Sequence, residues 1–458
     1  MNLDPLFLSR IQFAFTASFH IIFPSITIGL SLWLAFMQGL HLATGKEVYQ
    51  RLFDFWLKVF AILFAMGVVS GIVMAFQFGT NWSVMSAEAG PIMGPLLGYE
   101  AFTAFMLEAT FLGVVLYGRN RVAPGFYFFS CCMIALGAVI SSFWILCNNS
   151  WMQVPVGHEI VNGKIVPADW KTIVLGPVFL LRWLHMLLGS FLTTTMCLIS
   201  AGAWYLLRKV HHQEARVMLN WGLVATAAVI VVQIVVGDIN GKHMYAYQPA
   251  KFAAIEARWH PEQPGAQLWF AIPDEKNQRN LFAISTPYIG SWLATGSLTA
   301  PVSGLSDFPK QDWPPVLIPF FSFRIMFGLG LLMLATSFFG IWLHLRGRLE
   351  TTRWFLWAAC LTFPSGFLAV ILGWFTTEVG RQPWVVYGLL RTSDSVTPTL
   401  TASGVLATLI SYVLVYVMIS SFGIYFIYDL LRKGPAESGS ETTDTAETTT
   451  DSIPLAKE

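Results

Sequence analysis

Two tryptophans enclose a carboxylate and a guanidinium at the end of a long apolar run. The segment Trp-Phe-Thr-Thr-Glu-Val-Gly-Arg-Gln-Pro-Trp extends from Trp374 to Trp384 and holds Glu378 and Arg381 three residues apart. Ionisable side chains at the edge of a hydrocarbon span are costly, and they commonly act as ligands or proton carriers. The pair therefore predicts a functional site, with a structural ion pair that closes a loop as the alternative.

Further ionisable or metal-ligating side chains occur in the other apolar runs. They are His20, Glu100, Glu108, His185, Arg324 and Met326. All of them fall in the outer half of the membrane once the orientation below is applied, which a scatter of tolerated polar residues would not do. A His/Met pair forms a closed haem iron, and a lone histidine near a carboxylate suits an iron with one open position.

Simpler interpretations exist for each of these residues. A single buried histidine is often a packing residue, a methionine in an apolar helix is usually core, and Arg324 is suited to extend toward the outer interface. Glu100 and Glu108 are eight residues apart, about 80° around an ideal helix and about 12 Å along it. Glu108 is therefore predicted to lie deeper and to relay protons from the inner side toward Glu100.

Composition indicates a membrane protein. The 458 residues are 55% hydrophobic and only 12% charged, against about 25% charged in soluble domains. A net charge of +1 argues against a nucleic-acid surface. The five cysteines lie in apolar stretches without metal-ligand spacing and are interpreted as packing residues.

Nine apolar runs are long enough to cross a bilayer as helices, which predicts an all-α polytopic bundle. They lie near 12–40, 54–78, 92–117, 124–147, 176–206, 217–237, 317–345, 353–374 and 400–431. Lysines and arginines fall on alternate connections, which predicts a periplasmic N-terminus and a cytoplasmic C-terminus.

This pattern divides the chain into four segments. Residues 1–237 hold helices 1–6, and residues 317–432 hold helices 7–9. Residues 238–316 form a long polar connection on the outer side, and connections of that length are commonly functional. Residues 433–458 are rich in Ser, Thr, Glu and Asp and predict a disordered cytoplasmic tail.

Several motifs together resemble subunit I of cytochrome bd-type quinol oxidases. In chain order they are Ser9–His20, Gly79–Trp82, Glu100 with Glu108, Asn149–Gln153, His185, Gly237-Asp238, Lys251–Ala257, Arg324-Ile-Met326 and Gly380–Trp384. The resemblance extends from residue 1 to about 432. The outer segment is similar to the short version of the family's quinol loop, and cyanide-insensitive relatives share these motifs.

The resemblance implies roles residue by residue. His185 and Met326 would bind a low-spin haem b, while His20 and Glu378 would supply axial ligands to two high-spin haems. Those are a second haem b and a haem d, or a further haem b. Glu100 would lie beside the oxygen-reducing haem, and Glu108 and Ser141 would belong to the proton path. Lys251 and Glu256 would bind quinol. The haems would also be contacted by Arg324, Trp374 and Arg381.

The implied activity is that of a quinol:O2 oxidoreductase of the bacterial inner membrane. Quinol, either ubiquinol or menaquinol, would be oxidised at the periplasmic side and O2 reduced to water, generating a proton motive force without pumping. The implied partners are a second multi-spanning subunit, a small single-helix subunit and membrane lipid. The alternatives are a proton-coupled secondary transporter, which predicts internal repeats and broken helices, and a non-catalytic haem b/quinone electron-transfer subunit.

Overall fold

Long helices make up most of the computed structural model, which describes residues 4–435. Within that range, nine helical segments are long and apolar enough to cross a membrane, which confirms the predicted bundle. The helices are α1 (Pro5–Thr44), α2 (Glu47–Thr80), α3 (Ser83–Glu88), α4 (Gly90–Glu100), α5 (Met106–Tyr117), α6 (Pro124–Gln153), α7 (Trp170–Val174), α8 (Phe179–Arg208), α9 (His212–Tyr247), α10 (Pro249–Ile255), α11 (Ile289–Thr295), α12 (Leu317–Leu345), α13 (Arg353–Leu361), α14 (Ser365–Val379) and α15 (Ala402–Lys433).

Three antiparallel hairpins lie in the connections between the long helices. The strands are β1 (His158–Val161) with β2 (Lys164–Pro167), β3 (Gln267–Asp274) with β4 (Arg279–Thr286), and β5 (Trp384–Val386) with β6 (Leu390–Arg391). The first and last follow the C-terminal ends of α6 and α14, and the second lies between α9 and α12. Because α6, α9 and α14 all end where α8 and α12 begin, the hairpins collect at one end of the bundle.

Close helix packing depends on small residues. A Cβ at Gly202 of α8 would lie 2.8 Å from the Ala215 carbonyl oxygen of α9, so the two backbones are almost in contact. Helices in lipid associate through such close approaches, because lipid tails are as apolar as the side chains they replace. Buried aliphatic and aromatic side chains of α1, α2, α8 and α9 fill the largest core cluster.

Two predicted spans, the third and the eighth, are interrupted. The third consists of α4 and α5 joined by a π-helical turn, Ala101–Phe105, where the sequence pattern predicts one continuous helix. The fifth is preceded by the short helix α7. The eighth divides into α13 and α14 ahead of Pro364, a residue that cannot donate a backbone hydrogen bond. Its second half extends to Val379, so Glu378 lies in the last turn of α14 and not beyond the helix.

The outer connection differs from the predicted polar loop. Helix α9 continues ten residues past its predicted end at residue 237, and Asp238 pairs with Lys242 one turn later at 2.6 Å. Polar residues there extend the helix beyond the apolar run, so the connection proper begins at Gln248. It is folded, with α10, α11 and the β3–β4 hairpin. Of the predicted tail, Lys433 ends α15, and residues 436–458 lie outside the described residues.

Candidate functional site

His185 lies on α8 in contact with α9. A Cβ at Gly237 would lie 3.3 Å from His185 Cε1, so the glycine allows the ring to approach the α9 backbone. The Nε2 atom of His185 is 3.4 Å from Nε2 of Gln233, which belongs to α9. His185 Nδ1 is buried and has no hydrogen-bond partner in the described structure. An imidazole with an unused nitrogen in an apolar bundle is a suitable metal ligand.

Met326 occupies a comparable position on α12. A Cβ at Gly373 of α14 would lie 3.0 Å from the Met326 sulfur, so a glycine again makes room for the candidate ligand. Helix α14 also packs against α8, where Gly189 faces Val370. The helices that carry His185 and Met326 are therefore both held against α14.

His20 follows the same pattern on α1. Its Nδ1 lies 3.0 Å from Ser70 Oγ of α2, and a Cβ at Gly71 would lie 3.0 Å from His20 Cε1. Ser70 fixes one ring nitrogen, which leaves Nε2 for a ligand. His20, His185 and Met326 thus each face a glycine on a neighbouring helix.

Glu378 is the centre of a buried polar network. Its Oε1 accepts from Asn149 Nδ2 at 2.9 Å and from Gln153 Nε2 at 3.2 Å. Its Oε2 accepts from Arg381 at 2.5 Å. A carboxylate has about four acceptor sites, so three donors leave one for a further partner. Trp374 lies one turn earlier on α14.

Two more basic side chains join this network through the same amides. Arg182 of α8 donates to Asn149 Oδ1 at 2.5 Å, and Lys251 of α10 donates to Gln153 Oε1 at 3.0 Å. Burial, and secondarily Arg182, hold the pKa of Lys251 well below its usual range. Two guanidinium groups and a lysine with a lowered pKa therefore surround a single carboxylate.

Arg381 has unused hydrogen-bonding capacity. The side chain is buried, and its Nε and Nη1 have no acceptor among the described residues. Burial lowers the pKa of Arg381, and Glu378 opposes that shift. Buried donors without acceptors are uncommon in folded proteins, so the guanidinium is a candidate binding group for an anion.

Glu256 joins the outer connection to α12. Its Oε2 accepts from Gln267 Nε2 at 2.7 Å and from Arg324 at 3.1 Å. Arg324 also donates to the carbonyl oxygens of Ile255 and Leu268 and lies over the Phe320 ring, 3.5 Å from its centroid. The expectation that Arg324 extends to the outer interface is wrong, because the folded connection covers it. Its predicted contact with a cofactor stays a prediction.

Glu100 and Glu108 face α6. Ser141 Oγ donates to Glu100 at 2.8 Å, so its observed partner is Glu100, whereas the sequence grouped it with Glu108. A Cβ at Gly137 would lie 2.5 Å from Glu108 Cγ. The π-helical turn inserts one residue between the two carboxylates. Their angular separation is therefore that of seven α-helical residues, about 20°, and not the expected 80°.

Similarity to known proteins agrees with this arrangement. The family described as cytochrome bd terminal oxidase subunit I matches residues 8–435. The chain belongs to that family. The cytochrome bd ubiquinol oxidase subunit 1 of Bacillus subtilis (strain 168) is 35% identical, with 94% of each chain covered. The cytochrome bd-II ubiquinol oxidase subunit 1 of Escherichia coli (strain K12) is 31% identical, with 96% of this chain and 98% of the relative covered.

A solved bd oxidase structure from Geobacillus thermodenitrificans has the same fold. It superposes with a TM-score of 0.88 at 30% identity and covers 95% of this chain and 100% of its own. As a member of this family, the chain is a subunit of a terminal respiratory oxidase that oxidises quinol. It is a multi-pass protein of the bacterial inner membrane.

Two residues of this candidate site were not identified from the sequence. Arg182 lies three residues before His185 on an apolar helix, and that position was a detectable signal, because a buried arginine in a span is costly. Gln233 lies four residues before Gly237 on α9 and contacts His185. A glutamine in an apolar run is a weaker signal, since amides also join helices by hydrogen bonds.

Proposed function

We propose that this chain oxidises quinol at the outer connection, residues 248–316, and reduces O2 to water with three bound haems. The observation that carries the proposal is the buried network around Glu378. It joins α6, α8 and α14 to α10 of the outer connection and holds two arginines and Lys251 around one carboxylate. Such a charge surplus, next to candidate iron ligands, suits an anionic redox cofactor.

The residues present fit haem. A haem carries propionate carboxylates, and the unpaired Nε and Nη1 of Arg381 are two donors that carboxylate oxygens could accept from. His185 and Met326 are the proposed ligands of a low-spin haem b. His20 and Glu378 are the proposed axial ligands of two high-spin haems, a haem b and either a haem d or a further haem b. The haems, when bound, supply the electron transfer and oxygen chemistry.

Quinol is proposed to bind between Lys251 and Glu256. Both observed donors to Glu256 use Oε2, which leaves Oε1 to accept a proton from a quinol hydroxyl. Lys251 has a strongly lowered pKa because it is buried, so it can donate or accept a hydrogen bond to a quinol oxygen at little electrostatic cost. Arg324 holds the Glu256 carboxylate in place.

Protons for oxygen reduction are proposed to pass along Glu108 and Glu100. The two carboxylates share the α6-facing side of the third span, and Ser141 binds Glu100. Proton release at the outer connection and proton uptake from the inner side would charge the membrane without a pump.

The proposed assembly contains a second multi-spanning subunit and a small single-helix subunit. The quinol is proposed to be ubiquinol or menaquinol. Both names occur among the relatives, since a Bacillus subtilis protein named putative cytochrome bd menaquinol oxidase subunit I is 27% identical to this chain.

An optical spectrum of the purified oxidase tests the proposal. We expect reduced-minus-oxidised bands of low-spin and high-spin haem, a carbon monoxide response and three haems per subunit by pyridine haemochrome analysis. Haem-free protein after expression with ample haem would refute the proposal in favour of a transporter. Haem b bands without a carbon monoxide response would refute it in favour of an electron-transfer subunit.

A further inference from the structure

The π-helical turn Ala101–Phe105 separates Glu100 from Glu108. Met106 N–H donates to the Ala101 carbonyl oxygen, five residues back, where an α-helix would use a carbonyl four residues back. In a continuous α-helix the eight-residue spacing would leave the two carboxylates about 80° apart. With one residue taken up by the π turn, they lie about 20° apart on the same side.

Helix α6 is shaped to receive both carboxylates in this register. Gly137 meets Glu108, and Ser141, one turn later, donates to Glu100 at 2.8 Å. Any side chain at position 137 would collide with Glu108, because a Cβ there would lie 2.5 Å from Glu108 Cγ. A rotation of α5 by about 100°, the angle of one α-helical residue, would remove Glu108 from this surface.

A third residue on the same face of α6 holds the π turn itself. Trp144 Nε1 donates to Thr103 Oγ1 at 2.9 Å, and Thr103 Oγ1 donates to the Tyr99 carbonyl oxygen at 2.6 Å. The Trp144 ring also stacks on Tyr99, with centroids 5.1 Å apart. These contacts lie at the surface of the bundle, where no water competes for the indole N–H in a membrane.

We propose that Thr103 and Trp144 are positioning residues that hold the π turn and thereby keep Glu100 and Glu108 in one line for proton transfer. The proposal rests on the proposed proton path through these two carboxylates. Neither Thr103 nor Trp144 needs to exchange a proton. Their effect is on the rotation of α5, and a small misplacement of a proton-transfer group is enough to slow a reaction strongly.

Substitutions at Thr103 test this role with a matched control. Thr103→Val removes the hydroxyl that joins Tyr99 to Trp144, whereas Thr103→Ser keeps it. Thr110→Val is the control, because within residues 4–435 the Thr110 hydroxyl donates only to the Met106 carbonyl of its own helix, at 2.7 Å. We expect Thr103→Val to slow O2 reduction about tenfold or more at alkaline pH, where proton uptake limits turnover, with normal haem spectra. Thr103→Ser and Thr110→Val should keep the wild-type pH profile.

A one-residue deletion supplies a second test. Phe102 is 73% exposed, and its deletion shortens the spacing of the two carboxylates from eight positions to seven, which keeps them about 20° apart in a plain α-helix. We expect Thr103→Val to have no further effect on the pH profile in the Phe102-deleted protein. An equal loss in both backgrounds would overturn the proposal.

Failure of the proton path and failure of the positioning role give different results. Wild-type turnover in Glu108→Gln would refute the proposed proton path through Glu108. If turnover is slow in Glu108→Gln but Thr103→Val keeps the wild-type pH profile, the positioning role of the π turn is overturned and the proton path is not. This comparison does not depend on the folding of the Phe102-deleted protein.

Discussion

Glu256→Gln is the sharpest test of the outer connection as the quinol site. The Glu256 carboxylate is buried, and its Oε2 accepts from Arg324 at 3.1 Å and from Gln267 at 2.7 Å. Glutamine keeps the shape but removes the charge that would accept a quinol proton. A hydrogen bond to a charged group contributes about 1.5–3 kcal/mol, so kcat/KM for quinol should fall roughly 10- to 150-fold.

The fold should tolerate this substitution. Arg324 keeps the carbonyl oxygens of Ile255 at 2.8 Å and Leu268 at 2.7 Å, and it remains over the Phe320 ring. The guanidinium is therefore not left without acceptors, which is the usual reason that breaking a buried pair unfolds a protein. Haem spectra should stay those of the wild type.

The assay compares two electron donors. Oxygen consumption is measured with a short-chain quinol and with a soluble reductant that needs no quinol site. Only the quinol-driven rate should fall. Glu262→Gln is the matched control, because Glu262 belongs to the same connection, is 44% exposed and pairs with Arg258 at 3.5 Å. Wild-type quinol kinetics in Glu256→Gln, or an equal fall with both donors, would refute the reasoning.

Three further substitutions address the cofactors and Lys251. Met326→Leu keeps an apolar side chain of similar volume but removes the thioether, so the low-spin haem b band should disappear from the optical spectrum while the protein still inserts. Arg381→Gln removes the guanidinium whose Nε and Nη1 lack acceptors among the described residues, and it should lower the haem-to-protein ratio. Lys251→Met removes a buried donor and should raise the KM for quinol roughly tenfold, equivalent to ~1.4 kcal/mol, with unchanged haem bands.

Each of these substitutions has a contrary outcome. An unchanged spectrum in Met326→Leu would exclude Met326 as an iron ligand, and Met333→Leu, a buried methionine later on α12, controls for lost packing. Full haem content in Arg381→Gln would exclude a propionate contact. A normal KM for quinol in Lys251→Met would exclude Lys251 from the quinol site.

The number of spans and the family were predictable from the sequence because both depend on local patterns. A run of about 20 apolar residues must cross lipid as a helix, since no other arrangement pairs its backbone polar groups. Motifs such as Gly380–Trp384 carry the family resemblance within a few residues. Helix ends were less certain, and α9 extends to Tyr247 because polar residues such as Asp238 and Lys242 pair along the helix.

Only the tertiary structure decided which cations meet which carboxylates. Arg324 binds Glu256 across 68 positions of sequence, and Arg182 reaches the Glu378 network through Asn149, 33 residues earlier in the chain. The π-helical turn Ala101–Phe105 likewise changes the angle between Glu100 and Glu108 without any proline or glycine within it to mark it. The sequence determines which side chain lies at each position along a helix axis. Their meeting depends on the rotation of each helix about its axis, and that rotation is set by packing against neighbours that are distant in the chain.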